Sequence, residues 1–131
     1  MTPNEFYQIY QFSRIKTYSK DQTLTIQDMP ISHLLIIKTG HADVIKNNEV
    51  CAQLGPNLFV GEMSFLTGGN ANATVMTTTN KIECICWDKS EINKLEKFDA
   101  DLYVKLKQAI AINLIKKIDK NQKTEVIINH I

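Results

Sequence analysis

Hydrophobic positions along the chain fall into three regimes. From Pro3 to about Phe12, the apolar residues Phe6, Ile9, Tyr10 and Phe12 recur at near-helical spacing, which predicts a short N-terminal helix capped by Thr2 or Asn4. From Ile15 to about Trp87 the pattern changes to short runs rich in Thr, Val, Ile and Tyr, broken by Gly, Pro, Asn and Asp, as in a series of short strands. Leu24 and Ile26 alternate with threonines, Leu34 to Ile37 form a continuous apolar run, and Ala42, Val44 and Ile45 lead into Asn47-Asn48. That asparagine pair tolerates positive φ and suits a hairpin turn, with Val50 to Leu54 as the returning strand. Ala73 to Met76 and Ile82 to Cys86 predict two more strands, the second alternating Ile82, Cys84 and Cys86 against Glu83 and Ile85. From Asp88 onward the period turns helical. Ser90 is placed to cap a helix carrying Ile92 and Leu95. After Phe98-Asp99 a second helix, from Asp101 to about Asp119, aligns Leu102, Leu106, Ala109, Ile110, Asn113 and Leu114 on one face. Lys120 to Ile131 show no clear period.

Strands at this spacing predict a sandwich or jelly roll. The expected fold class is mainly β with flanking helices: a jelly-roll-like β-roll, or double-stranded β-helix, of about eight short strands. It would span about 15–87, with one helix before it and two within about 88–119, in a single domain of residues 1–131. A length of 131 residues agrees, being enough for one core.

Composition narrows the class of function. With 44% hydrophobic and 22% charged residues the chain is neither disordered nor fibrous. Its apolar runs fall far short of the ~20 residues of a bilayer helix, so no membrane span is expected. Met1-Thr2-Pro3-Asn4-Glu5 contains no basic region leading into an apolar stretch, so no secretory signal is expected either. Three cysteines, an odd number, suit a reducing compartment, and the expected location is cytoplasmic. A net charge of +1 gives no electrostatic case for nucleic acid or a membrane surface.

The most specific segment is Gly55-Pro56-Asn57-Leu58-Phe59-Val60-Gly61-Glu62-Met63-Ser64-Phe65-Leu66, followed after Gly68-Gly69 by Ala71-Asn72-Ala73-Thr74-Val75. Gly61 ahead of Glu62 suits a short helix whose leading amides can hold an anion, and glycine there lets a ligand approach the backbone. The segment resembles the phosphate-binding cassette of the cyclic-nucleotide-binding domain family. There a strand passes through a Leu-Gly-Pro-Gly-Asp-like turn into Phe-Gly-Glu, a short helix and an Arg-Ser/Ala-Ala-Thr-Val strand. The resemblance runs from about Ile15 to Ile118: Gln27-Asp28-Met29-Pro30, His33 to Ile37, Gly40 and Val44 stand where the family has its Gln-Gly-Asp-Pro turn, apolar strand and Ser-Gly hairpin. Asp28 and Asn57 occupy usual glycine positions, and both residue types visit positive φ more readily than most.

The resemblance implies a regulatory domain that binds a cyclic nucleotide such as cyclic AMP. The implied ligand residues are Gly61, Glu62, Met63, Ser64, Ala71, Asn72, Ala73 and Thr74, with Glu62 accepting the ribose hydroxyl. The family's arginine falls on Ala71, or on Asn72 if the loop is one residue longer, and neither is basic. Arg14 is the chain's only arginine, and no lysine lies between Lys46 and Lys81. Loss of a charge-assisted bidentate partner removes ~1.5–3 kcal/mol, tenfold to over a hundredfold in affinity, so weak or altered binding is expected. In this lack the chain is similar to the arginine-less Popeye-type branch, and Trp87 stands where the C-terminal helices open.

Other features carry less. Asn72 and Thr74 are either ligand donors or local turn and edge residues. Gly68-Gly69 is either a phosphate cradle or an ordinary loop. Cys84 and Cys86 share a strand face and are expected to be buried, and His33, His41 and His130 are scattered, so no metal is expected. No nucleophile motif or paired carboxylates appear, so the chain is expected not to be an enzyme and to need no cofactor. Transcriptional relatives append a helix-turn-helix, which the residues after Asp119 are too few to form, so no DNA partner is expected. The long C-terminal helix is the expected surface for a homodimer or a partner protein. The rival reading is an interaction module that keeps the scaffold without a nucleotide; a small jelly-roll enzyme ranks behind both.

Overall fold

The computed structural model describes residues 2–121, and side chains as far as Asn113. Thr2 caps the first helix, α1 (Pro3–Tyr10), in a capping box with Glu5, and proline occupies its first turn, where no amide is missed. Of the apolar residues that predicted this helix only Ile9 is buried; Phe6, Tyr10 and Phe12 remain exposed.

Eight strands follow: β1 (Arg14–Ser19), β2 (Thr23–Thr25), β3 (His33–Thr39), β4 (Ala42–Lys46), β5 (Glu49–Leu54), β6 (Phe59–Val60), β7 (Thr74–Thr77) and β8 (Lys81–Asp88). They pair antiparallel in two four-stranded sheets, ordered β1-β8-β3-β6 and β2-β7-β4-β5. The short helix α2 (Glu62–Thr67) links β6 to β7, and α3 (Lys89–Phe98) and α4 (Ala100–Asn121) close the chain. This is the expected β-roll with one leading and two trailing helices.

The turns form through the residues that sequence singled out. Asn47 and Asn48 turn between β4 and β5 with φ of 51° and 68°, and Asp28 and Asn57 adopt 67° and 70° where the resembled pattern has glycine. Two cores result. Leu35, Ile37, Val44, Leu54, Val60, Val75, Ile82 and Cys84 fill the space between the sheets. Ile9, Leu34, Phe59, Trp87, Leu95, Leu102, Leu106 and Ile110 form a second core between the first sheet and the helices. The run Leu34 to Ile37 is continuous because β3 is covered on both faces, so it has no polar side to alternate with.

Three expectations about the C-terminal region are corrected. Asp88, not Ser90, is the N-cap of α3, and Ser90 lies inside the helix. Trp87 belongs to β8, where its indole N–H donates to the Ile9 carbonyl at 2.9 Å and ties α1 down. The stripe of Leu102, Leu106 and Ile110 is buried against the chain's own sheet rather than offered to a partner. The exposed side of α4 carries Val104 and Ile112 instead. The Leu114 side chain, and the tail with His130, lie outside the described residues.

Candidate functional site

Gly61 holds φ at 86° as the N-cap of α2, a conformation that favours glycine, and its carbonyl accepts the Phe65 N–H at 3.0 Å. That bond places Phe65 inside the helical ladder and removes its amide from the set that could face an anion. The Met63 and Ser64 amides stand at the head of α2, where no carbonyl of the helix reaches them. Glu62 is fully buried beside them.

The segment leading into β7 and the strand itself alternate. Ala71, Ala73 and Val75 point into the roll and are buried; Asn72 and Thr74 are half-buried. Thr74 accepts the Gln27 N–H on its hydroxyl at 3.0 Å, and Thr25 donates to the Ala73 carbonyl at 2.9 Å. Thr74 therefore braces the loop after β2. Gly61, Ala71, Asn72 and Ala73 are brought together around a cavity also lined by Thr25, Ile31, Val44, Leu54, Val60 and Val75. Its volume is about 10 Å³, near the threshold for a single water.

Gly68-Gly69 is a helix stop. Gly68, at φ 78°, donates to the Ser64 carbonyl at 2.8 Å, Gly69 N–H meets the Thr67 hydroxyl, and the Gly69 carbonyl accepts from the Ser64 hydroxyl. With both amides engaged, the pair forms no phosphate cradle.

One residue at this site was not found from sequence. Lys89, the first residue of α3, reaches the Ser64 hydroxyl and carbonyl at 3.2 and 3.4 Å. Counting cations only between Lys46 and Lys81 misses it, because Lys89 lies 25 residues beyond Ser64 and meets it only through tertiary packing, while its backbone N–H is held by the Ser32 carbonyl at 2.9 Å. No signal within the cassette could have revealed it.

Burial pushes the Cys84 thiol up to about 12, with the Cys86 sulfur adding to the effect, and burial raises Cys86 as well. Both are core residues, as expected. Among the described residues no group of three or more His, Cys, Asp or Glu side chains gathers as a metal site, and no helix is long and apolar enough to cross a membrane.

Comparison with known proteins gives a consistent result. The family model described as the cyclic nucleotide-binding domain matches residues 15–97, more than half of the chain. A cyclic nucleotide-binding domain from Methylobacillus flagellatus superposes with a TM-score of 0.81 at 20% identity, covering 92% of this chain and 70% of that one. The regulatory subunit of a cAMP-independent protein kinase A from Trypanosoma cruzi, bound to guanosine, gives a TM-score of 0.69 at 20% identity over 92% of this chain and 39% of its own. The cGMP-dependent protein kinase of Plasmodium berghei is 37% identical over 59 residues, 45% of this chain. The match spans 7% of that kinase's length.

Proposed function

Because the chain belongs to the cyclic nucleotide-binding domain family, we propose that it is a non-catalytic sensor domain whose phosphate cassette has lost its arginine, leaving Lys89, engaged with Ser64, as the cation beside it, so that cyclic nucleotides bind there weakly or not in the usual way. The observation that carries this reading is the inward-facing Ala71. By the family resemblance it, or its neighbour Asn72 if the loop is one residue longer, occupies the position of the family's arginine, and the cavity that both line measures about 10 Å³. Ligand sites usually offer ~300–1,000 Å³, so a cyclic nucleotide would have to open the roll without a guanidinium to repay the displacement. The Trypanosoma cruzi regulatory subunit of similar fold belongs to a cAMP-independent protein kinase A and is bound to guanosine, an uncharged nucleoside, which supports a changed ligand preference on this scaffold. Calorimetric titration with cyclic AMP, cyclic GMP, a cyclic dinucleotide and guanosine tests the reading. Cyclic AMP is expected to bind more weakly than the micromolar range; micromolar or tighter binding at the cassette overturns it.

The second reading, an interaction module, is favoured by the exposed apolar residues of the helices, Phe6 and Tyr7 on α1 and Val104 and Ile112 on α4. Light scattering over a concentration series tests its homodimer form, and a strict monomer at high concentration counts against that form.

A further inference from the structure

We propose that the groove between β1, β2 and the β2–β3 loop is a second binding site, for a small organic anion with a flat apolar body, in which Lys16 supplies the charge and Tyr18 the stacking face. This inference is independent of how the cassette is read.

The sequence places the site through strand pairing. β1 is an edge strand of one sheet and β2 an edge strand of the other, so the roll is left open between them. The antiparallel register of β1 on β8 sets Lys16 opposite Cys84 and Tyr18 opposite Ile82, both core residues, so Lys16 and Tyr18 lie on the inner side of the edge. The opening measures about 310 Å³, within the range of small-molecule sites and far larger than the cassette cavity. Thr25 and Ile31 line both spaces and stand between them.

The lining has the two halves that an amphipathic anion requires. Lys16 Nζ lies 5.7 Å from the Tyr18 ring centroid and forms no ion pair among the described residues. At the rim, Ser32 and His33 are fixed by a polar chain. Ser32 Oγ is 2.8 Å from His33 Nδ1, His33 Nε2 is 2.9 Å from Asp88 Oδ1, and the same carboxylate oxygen is 3.0 Å from Arg14 Nη2. Arg14 thus matches the Asp88 charge and leaves that of Lys16 uncompensated. Burial, then the neighbouring Cys84 and Cys86, holds the Tyr18 phenol at about 12, so it remains a hydrogen-bond donor at neutral pH. The other wall is apolar, from Leu24 and Leu35 at the base to Ile26 and Met29, which are 52% and 53% exposed. Exposed aliphatic side chains bordering a cation and a phenol on one concave surface are what a ligand with an anionic head and a flat body would cover.

The test is amide-resolved NMR on the full chain with phenyl phosphate as probe, inorganic phosphate as the head alone and benzyl alcohol as the body alone. Phenyl phosphate is expected to give saturable shifts at Lys16, Tyr18, Thr23 and Ile26, but not at Gly61 to Ser64. Each half-probe should bind at least about fivefold more weakly. Lys16→Met should weaken phenyl phosphate by about fivefold or more with an unchanged melting temperature, whereas Lys97→Met, the same charge change on α3, should leave it unaltered. Shifts confined to the cassette, shifts that never saturate, or equal effects of the two lysine substitutions would overturn the proposal.

Discussion

Ala71→Arg puts back the guanidinium that the cassette lacks, and the structure gives the substitution a cost as well as a gain. Ala71 is 3% exposed, and its backbone is pinned on both sides, its N–H on the Met29 carbonyl at 2.9 Å and its carbonyl on the Asp28 N–H at 2.8 Å. The side chain must therefore enter the cavity of about 10 Å³ or force the strand outward. Overpacking of this kind costs ~1–3 kcal/mol, and an unmatched buried cation adds to it. At about 3–6 °C per kcal/mol for a domain of this size, the ligand-free variant should melt roughly 3–18 °C below wild type. A cyclic phosphate in the opened site would match the charge. A bidentate contact worth ~1.5–3 kcal/mol should tighten cyclic AMP tenfold or more, and ligand at about 100 times Kd should restore ~2.7 kcal/mol. Thermal melts of both proteins with and without cyclic AMP read both effects. If Ala71→Arg melts like wild type without ligand, the cavity is open and the packing argument is wrong. If it is destabilised and cyclic AMP neither binds nor restores it, the base and ribose contacts have gone too, and the interaction-module reading takes the weight.

Trp87→Phe should lower stability by about 1–3 kcal/mol through loss of the indole bond to Ile9 and the space left behind, read as a lower urea midpoint with unchanged slope; an unchanged midpoint would show that α1 is held by other contacts. The Glu5 carboxyl is held at about 2, below its ordinary 4.5, first by the Lys105 hydrogen bond and then by the Thr2 amide and hydroxyl. Because its folded value is depressed, its contribution is complete above pH 4.5 and is lost as pH falls toward 2. The stability gap between wild type and Glu5→Gln should shrink over that window, and a gap independent of pH refutes the assignment. In native protein a thiol reagent should modify the partly exposed Cys51 first, while Cys84 and Cys86 wait for unfolding; three equal rates would contradict their burial.

Much of this molecule is determined locally and can be read from the sequence. Asn47-Asn48, Asp28 and Asn57 are turn formers because their short polar side chains tolerate positive φ, and the structure uses each of them in that way. The alternation of Ile82, Cys84 and Cys86 gives the face that β8 buries, and Gly61 gives the start of α2. Periodicity also shows that α4 has an apolar stripe, but an apolar face records only that something covers it. The helix–sheet packing decided that Leu102, Leu106 and Ile110 meet the chain's own Phe59 and Trp87 rather than a second molecule. The same limit hid Lys89 beside Ser64, and Arg14 beside Asp88, residues separated by 25 and 74 positions. Such contacts follow from strand order and register, in which β8 lies between β1 and β3. Long-range order of that kind comes from packing two sheets and four helices around shared cores, and no local run of residues encodes it.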